Sequence, residues 1–179
     1  MQVSWALVVC VLFAVAVAPP AGARPLSRVR ALDRSAEAAL NRGLSSSPHF
    51  RRLVAEIEAS DLIVHVMIAI SLPGSVDGAT QLISAGRDDR YVRILLSSDV
   101  QRGHRTTILA HELQHACEIA RSGARDAAAV RRLYETIGRV VESQSETYET
   151  TAAIEAGLQV WSELQPRSQS ASNGSSEHQ

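Results

Sequence analysis

The chain has 179 residues and a net charge of −1, and all 18 of its basic residues are arginine. That length suits one domain with one core. No stretch gathers arginine into a basic face, so composition argues against nucleic acid or an anionic membrane surface as a partner.

The first 23 residues form a class of their own. Val3 to Ala18 is almost wholly apolar, Pro19 and Pro20 break the run, and Ala21-Gly22-Ala23 supplies small residues at cleavage positions. This is the layout of a signal peptide, although no Arg or Lys precedes the apolar core. The run is short for a membrane span, so the expectation is cleavage after Ala23, export to the periplasm or medium, and no stable membrane insertion afterwards, with an uncleaved membrane anchor as the plain alternative. Cys10 falls in that segment without the small residues of an acylation site before it. Cys117 is then the only cysteine of residues 24–179, and no internal disulfide can form.

Residues 24–164 read as one domain. A helix is predicted around Ser35–Asn41, ending in a Gly43-Leu44-Ser45-Ser46-Ser47 loop. A second carries Phe50, Leu53, Val54 and Ile57 at i, i+3, i+4, i+7, with Pro48 in its first turn. The β-branched run LIVHVMIAI, residues 62–70, predicts a buried strand. Pro73-Gly74 and Asp77-Gly78 signal turns, and Thr80–Ala85 and Tyr91–Leu96 predict two more strands about a turn at residues 86–89. Short connections imply an antiparallel sheet. From Thr106 to Ala120 the pattern is helical and apolar on more than one face, which belongs at the centre of a fold. Gly123 would stop this helix. Asp126 would cap the next one, closed at Gly138. Ser143 with Glu146 forms a capping-box pattern for a last helix reaching Leu164, before Pro166. The Ser/Gln/Asn-rich tail, 165–179, lacks apolar periodicity and reads as disordered.

The chemistry sits in His111-Glu112-Leu113-Gln114-His115, an HExxH motif. On a helix, positions i and i+4 share one face, so the two imidazoles can converge on one Zn²⁺. Glu112, one residue along, reaches the open side of the metal, where a carboxylate can take a proton from water and pass it to a leaving group. The extended HExxHxxGxxH pattern is excluded, because its glycine and third-histidine positions hold Glu118 and Arg121. Glu118 shares the histidine face but lies about 10 Å up the axis from His111, too far to join as a ligand. The third ligand must come from elsewhere. Glu149, expected one turn inside the last helix on a stripe of Ala152, Ala153 and Ala156, is favoured over Glu146, which the capping box would occupy. A solvated helix charge is the plain alternative for either.

Other candidates read more simply. His65 is a packed strand histidine more readily than a cleft residue, and His104 a surface histidine near a helix start. Tyr134 and Tyr148 could donate to an oxyanion but suit the core or rim as well. Cys117 points away from the histidine face and reads as a small buried hydrophobe.

HELQH followed by a helix-borne glutamate resembles the gluzincin arrangement of two histidines and a glutamate. AHELQHACEIA, RDAAAVRRLYETIG and YETTAAIEAGLQVWSEL together resemble a family of bacterial exported metallopeptidases, over about residues 48–164. The resemblance implies an α+β, zincin-like fold, with a small sheet against the HExxH helix. It implies zinc held by His111, His115 and Glu149, and a peptide or protein substrate lying along an edge strand, for which Tyr91–Leu96 is the candidate. The chain departs from the best-known gluzincins at Ala153, where an aspartate would orient a ligand histidine, and it lacks their downstream histidine. Two other readings therefore stand beside the peptidase: a zinc-stabilised binding module without turnover, and a zinc hydrolase of a non-peptide amide.

Overall fold

A computed structural model describes residues 27–73, 76–142 and 147–165. The segment expected to be a signal peptide, the turn at Gly74, the Ser143–Glu146 capping box and nearly all of the tail lie outside these residues. No described helix is long and apolar enough to cross a membrane.

Among the described residues eleven elements follow one another: β1 (Val29–Ala31), α1 (Arg34–Ser46), α2 (Pro48–Glu58), β2 (Leu62–Ala69), β3 (Gly78–Ala85), β4 (Arg90–Ser97), α3 (Arg105–Ser122), α4 (Ala127–Ile137), β5 (Arg139–Glu142), β6 (Thr147–Glu149) and α5 (Thr151–Leu164). The mixture is α+β, as expected. Asp33 starts α1 by accepting from the Ser35 and Ala36 amides at 2.9 Å, while its other oxygen accepts from Ile68 N at 2.8 Å, tying the helix to β2. The loop expected after Asn41 is instead the last turn of α1. Gly43 lies inside that turn, where a Cβ would stand 2.5 Å from the Phe50 ring, so the lack of a side chain lets α2 pack closely there. Ser47 then caps α2, with Pro48 in the first turn.

The main sheet has the order β1-β2-β4-β3. Here the antiparallel expectation fails in part. The β3–β4 hairpin is antiparallel, but β4 inserts between β3 and β2 and runs parallel to β2, from Leu62↔Arg90 to Ala69↔Ser97. β1 is also parallel to β2, joined through α1 and α2. Both edges of β4 are therefore used, which overturns Tyr91–Leu96 as the strand open to an added chain. The outer strand on this side is β3, and β1 forms the other edge.

Val64, Val66, Val92, Ile94 and Leu96 form the buried face of the sheet, against Leu109 and Leu113 of α3. The far side of α3 meets α2 and α5. A helix covered from both sides needs apolar residues around its girth, and α3 has them. It ends at Gly123 in the left-handed conformation, φ 67°, where glycine carries no Cβ penalty.

The expected start of the last helix is also corrected. β-branched Val140 and aromatic Tyr148 pair in a small β5–β6 hairpin, and α5 begins only after Thr150. The Thr150 hydroxyl accepts from Ala153 N at 3.1 Å, a local cap that fixes the boundary. Glu149 is thus the last residue of a strand, one step before the helix. Of the expected small-residue stripe, Ala153 and Ala156 are buried, joined by Gly157, whereas Ala152 is exposed. At Gly157 an added Cβ would stand 3.6 Å from the Cβ of His111, so α5 packs directly on the motif-bearing face of α3.

Candidate metal centre

His111 and His115 project from one face of α3, with ring centroids 5.0 Å apart. The β5–β6 hairpin and the α5 cap bring Glu149 to them from the other side. Its Oε1 lies 3.1 Å from His111 Nε2 and 3.4 Å from His115 Nε2. These three residues form the one group of His, Cys, Asp and Glu among those described whose donor atoms lie close enough together, within 4.8 Å, to hold a metal. Four ligands around zinc at ~2.1 Å would stand roughly 3.4 Å from one another, so the donor spacing fits a divalent ion. The site opens on one side: the His111 and Glu149 side chains are 20% and 23% exposed, whereas that of His115 is 8% exposed.

The surroundings orient His115 firmly. Its Nδ1 faces Glu118 Oε2 at 2.9 Å and the Tyr134 hydroxyl at 3.3 Å. A proton on Nδ1, donated to Glu118, leaves the lone pair of Nε2 free for a metal. Glu118 is itself held by the Thr150 hydroxyl, which donates to Oε1 at 2.7 Å. So Glu118 is too distant to be a ligand, as the helix geometry predicted, yet it does the orienting for which Ala153 is unsuited.

Charge in the cluster is uneven. Glu112, Glu118 and Glu149 crowd two imidazoles, an excess of carboxylate that suits a cation. Burial works against the charged form of His115, but hydrogen bonds to Glu118 and Glu149 win and push its pKa to about 9. Burial likewise opposes the charge on Glu149, and the two histidines overcome it, holding the carboxyl well below the usual range. For Glu112 burial prevails over the pull of His115 and His111, and its pKa is raised.

Glu112 is 4% exposed and is fastened to the sheet. The Thr80 hydroxyl of β3 lies 2.8 Å from its Oε2 and 3.0 Å from its backbone carbonyl. Gly78 makes room for it, since a Cβ there would come within 2.6 Å of Glu112 Oε1. The carboxylate is therefore wedged between α3 and the edge strand.

The remaining candidates lie elsewhere. His65 is on the outer sheet face, 6.4 Å from the Tyr91 ring, and His104 packs on Trp161 at 4.9 Å. The Tyr134 hydroxyl is spent on His115, and Tyr148 stacks on Tyr134. Cys117 faces Leu53 of α2, and burial pushes its thiol up to about 12, an inert buried group. Asp126 caps α4 by accepting from Ala129 N at 2.7 Å. Glu146 lies outside the described residues. Sequence reading missed Thr80, Thr150 and the orienting role of Glu118. Only Glu118 carried a local signal, since a carboxylate three residues after a helical histidine lies on its face. Compared with family models, curated proteins and solved structures, the chain matches none.

Proposed function

We propose that the protein is a zinc-dependent hydrolase of the zincin type, acting on peptide bonds outside the cytoplasm. The observation that carries this reading is the convergence of His111, His115 and Glu149, with the buried carboxylate of Glu112 within electrostatic reach of all three. Two imidazole nitrogens and one carboxylate oxygen match the donor set of catalytic zinc, which keeps a fourth position open, rather than that of structural zinc. Bound there, zinc would supply an electrophile that polarises a carbonyl and acidifies water. The chain does the rest. Glu112, with its raised pKa, is suited to take a proton from the attacking water and return it to the leaving amine. Thr80 keeps its carboxylate in place. The free edge of β3 offers backbone groups to an extended peptide, a recognition mode that favours peptide over other amides. Export rests on the apolar run and small residues of 1–23.

The test is zinc content beside hydrolysis of a quenched-fluorescent peptide library. Purified protein should hold about one zinc. His111→Ala, His115→Ala and Glu149→Gln should each lose it, and Glu146→Gln should retain it. Glu112→Gln should keep the metal and lose about 10²–10⁴-fold in rate. Stoichiometric zinc in the double histidine variant, or wild-type turnover in Glu112→Gln, would overturn the reading.

A further inference from the structure

One turn before His111, Thr107 of α3 lines a cavity of about 530 Å³ that the metal centre does not use. Its walls include Asp77, Asp99, His104, Leu158 and Trp161. Ile108, another of its wall residues, packs against Gly78 beside Glu112, so the cavity lies one turn along α3 from the metal centre. Asp77 immediately precedes Gly78, the β3 residue pressed against Glu112. An extended chain on the free edge of β3 would thus pass Glu112 and deliver a side chain into this space.

We infer that the cavity selects a basic side chain, arginine above lysine, next to the scissile bond of the substrate. The inference rests on the hydrolase reading for its setting and on the cavity for its chemistry. Asp77 and Asp99 are both exposed, and neither forms an ion pair among the described residues. The Asp77 carbonyl accepts from Ser97 N at 2.9 Å, which brings the two aspartates to the same end of the sheet. The guanidinium of Arg105 binds the carbonyls on either side of Asp99, those of Val100 and Ser98 at 3.0 Å, and forms no ion pair with its carboxylate among the described residues.

The rest of the wall matches the rest of an arginine. Leu158 and Trp161 are 62% and 39% exposed, an apolar surface for the methylene stem. The Trp161 face, braced by the His104 ring at 4.9 Å, suits a planar guanidinium better than an ammonium. A metal ion fits less well, since Asp77 and Asp99 belong to no close group of ligating side chains among the described residues.

Trp5 and Trp161 are the two tryptophans of the chain, so the form that begins at Arg24 carries the indole of Trp161 as its sole reporter. In that form, N-acetyl-arginine amide should quench the fluorescence at about tenfold lower concentration than N-acetyl-norleucine amide. Salt should weaken the arginine response. Asp77→Asn with Asp99→Asn should erase the difference while leaving the norleucine response in place. Equal binding of the two amides, or an arginine preference that survives the double substitution, would overturn the inference. Peptide hydrolysis separates it from the reading beneath it. Cleavage without any basic preference, together with unselective quenching, removes this inference and leaves the hydrolase. Selective quenching in a protein that cleaves no peptide removes the hydrolase and leaves the cation pocket.

Discussion

His115 is the most constrained residue of the site, and the constraint comes from a carboxylate that is not a ligand. Glu118 accepts from Nδ1 at 2.9 Å and is held in turn by the hydroxyl of Thr150 at 2.7 Å. Removing such an outer partner leaves the ligands present but loosens the ring and its tautomer, at a typical cost of 10–100-fold in metal affinity. Glu118→Gln should therefore weaken zinc binding by that range, measured by competition with a chromophoric chelator. Thr150→Val should weaken it less, because Glu118 keeps its contact with His115. An unchanged zinc affinity in Glu118→Gln would reduce this carboxylate to a merely structural group. The two-histidine face was legible in the sequence because helical spacing is a local property. Thr150 was not, because its hydroxyl meets Glu118 from 32 positions further along a chain that has to fold back.

Among the elements, α3 depends on a device at its far end as much as on its apolar faces. Arg90, at the start of β4, is 2% exposed. Its guanidinium donates to the carbonyls of Ile119, Ala120 and Ala124 at 2.9, 3.1 and 2.8 Å. The same group pairs with both oxygens of Asp61, at 2.8 and 2.5 Å. The last carbonyls of a helix have no partner within it, and here a strand residue supplies one. Arg90→Met should cost about 3 kcal/mol in denaturant unfolding, the low end for breaking a buried pair, because the Asp61 side chain remains 34% exposed to water. A loss under about 0.5 kcal/mol, the range of ordinary surface changes, would show that the clamp contributes little. The helix itself was legible from its periodicity, but its clamp was not. An arginine at a strand start looks like any surface charge until the strand order places it under α3.

Across the whole molecule, four carboxylates tie together segments far apart in the chain. Asp33 joins α1 to β2, and Glu58 accepts from the Arg28 amide at 2.9 Å, joining α2 to the chain before β1. Asp61 holds Arg90, and Glu163 accepts from His49 N at 3.0 Å, joining α5 to α2. All four pKa values are lowered. For Asp61 the hydrogen bond from Arg90 leads. For Asp33, Glu58 and Glu163 burial opposes the charge and the hydrogen bonds outweigh it. A carboxyl with a depressed folded pKa contributes stability that is present above its unfolded value, about 4, and is lost as pH falls through the folded value. The melting temperature of the metal-free protein should thus vary little with these groups above pH ~5 and fall steadily below pH ~4. Asp61→Asn should flatten part of that fall. A melting temperature unchanged down to pH ~3 would contradict the assignment.

What the sequence determined by itself is what local interactions decide. The HExxH face, the central helix around it, the stops and caps at Gly123, Asp126 and Gly138, and the β-branched core strand all follow from spacing and side-chain type within a few residues. Tertiary structure alone decided the rest. β4 lies between β2 and β3 because its inner face, Val92, Ile94 and Leu96, is buried against α3. Nothing in its neighbours along the chain encodes that position. Glu149 reaches the histidines from a strand end, because the pairing of β5 with β6 and the Thr150 cap displaced the helix start expected at Ser143. Strand partners are chosen by burial of whole faces across long loops. That is a property of the folded molecule, and the one-dimensional pattern does not carry it.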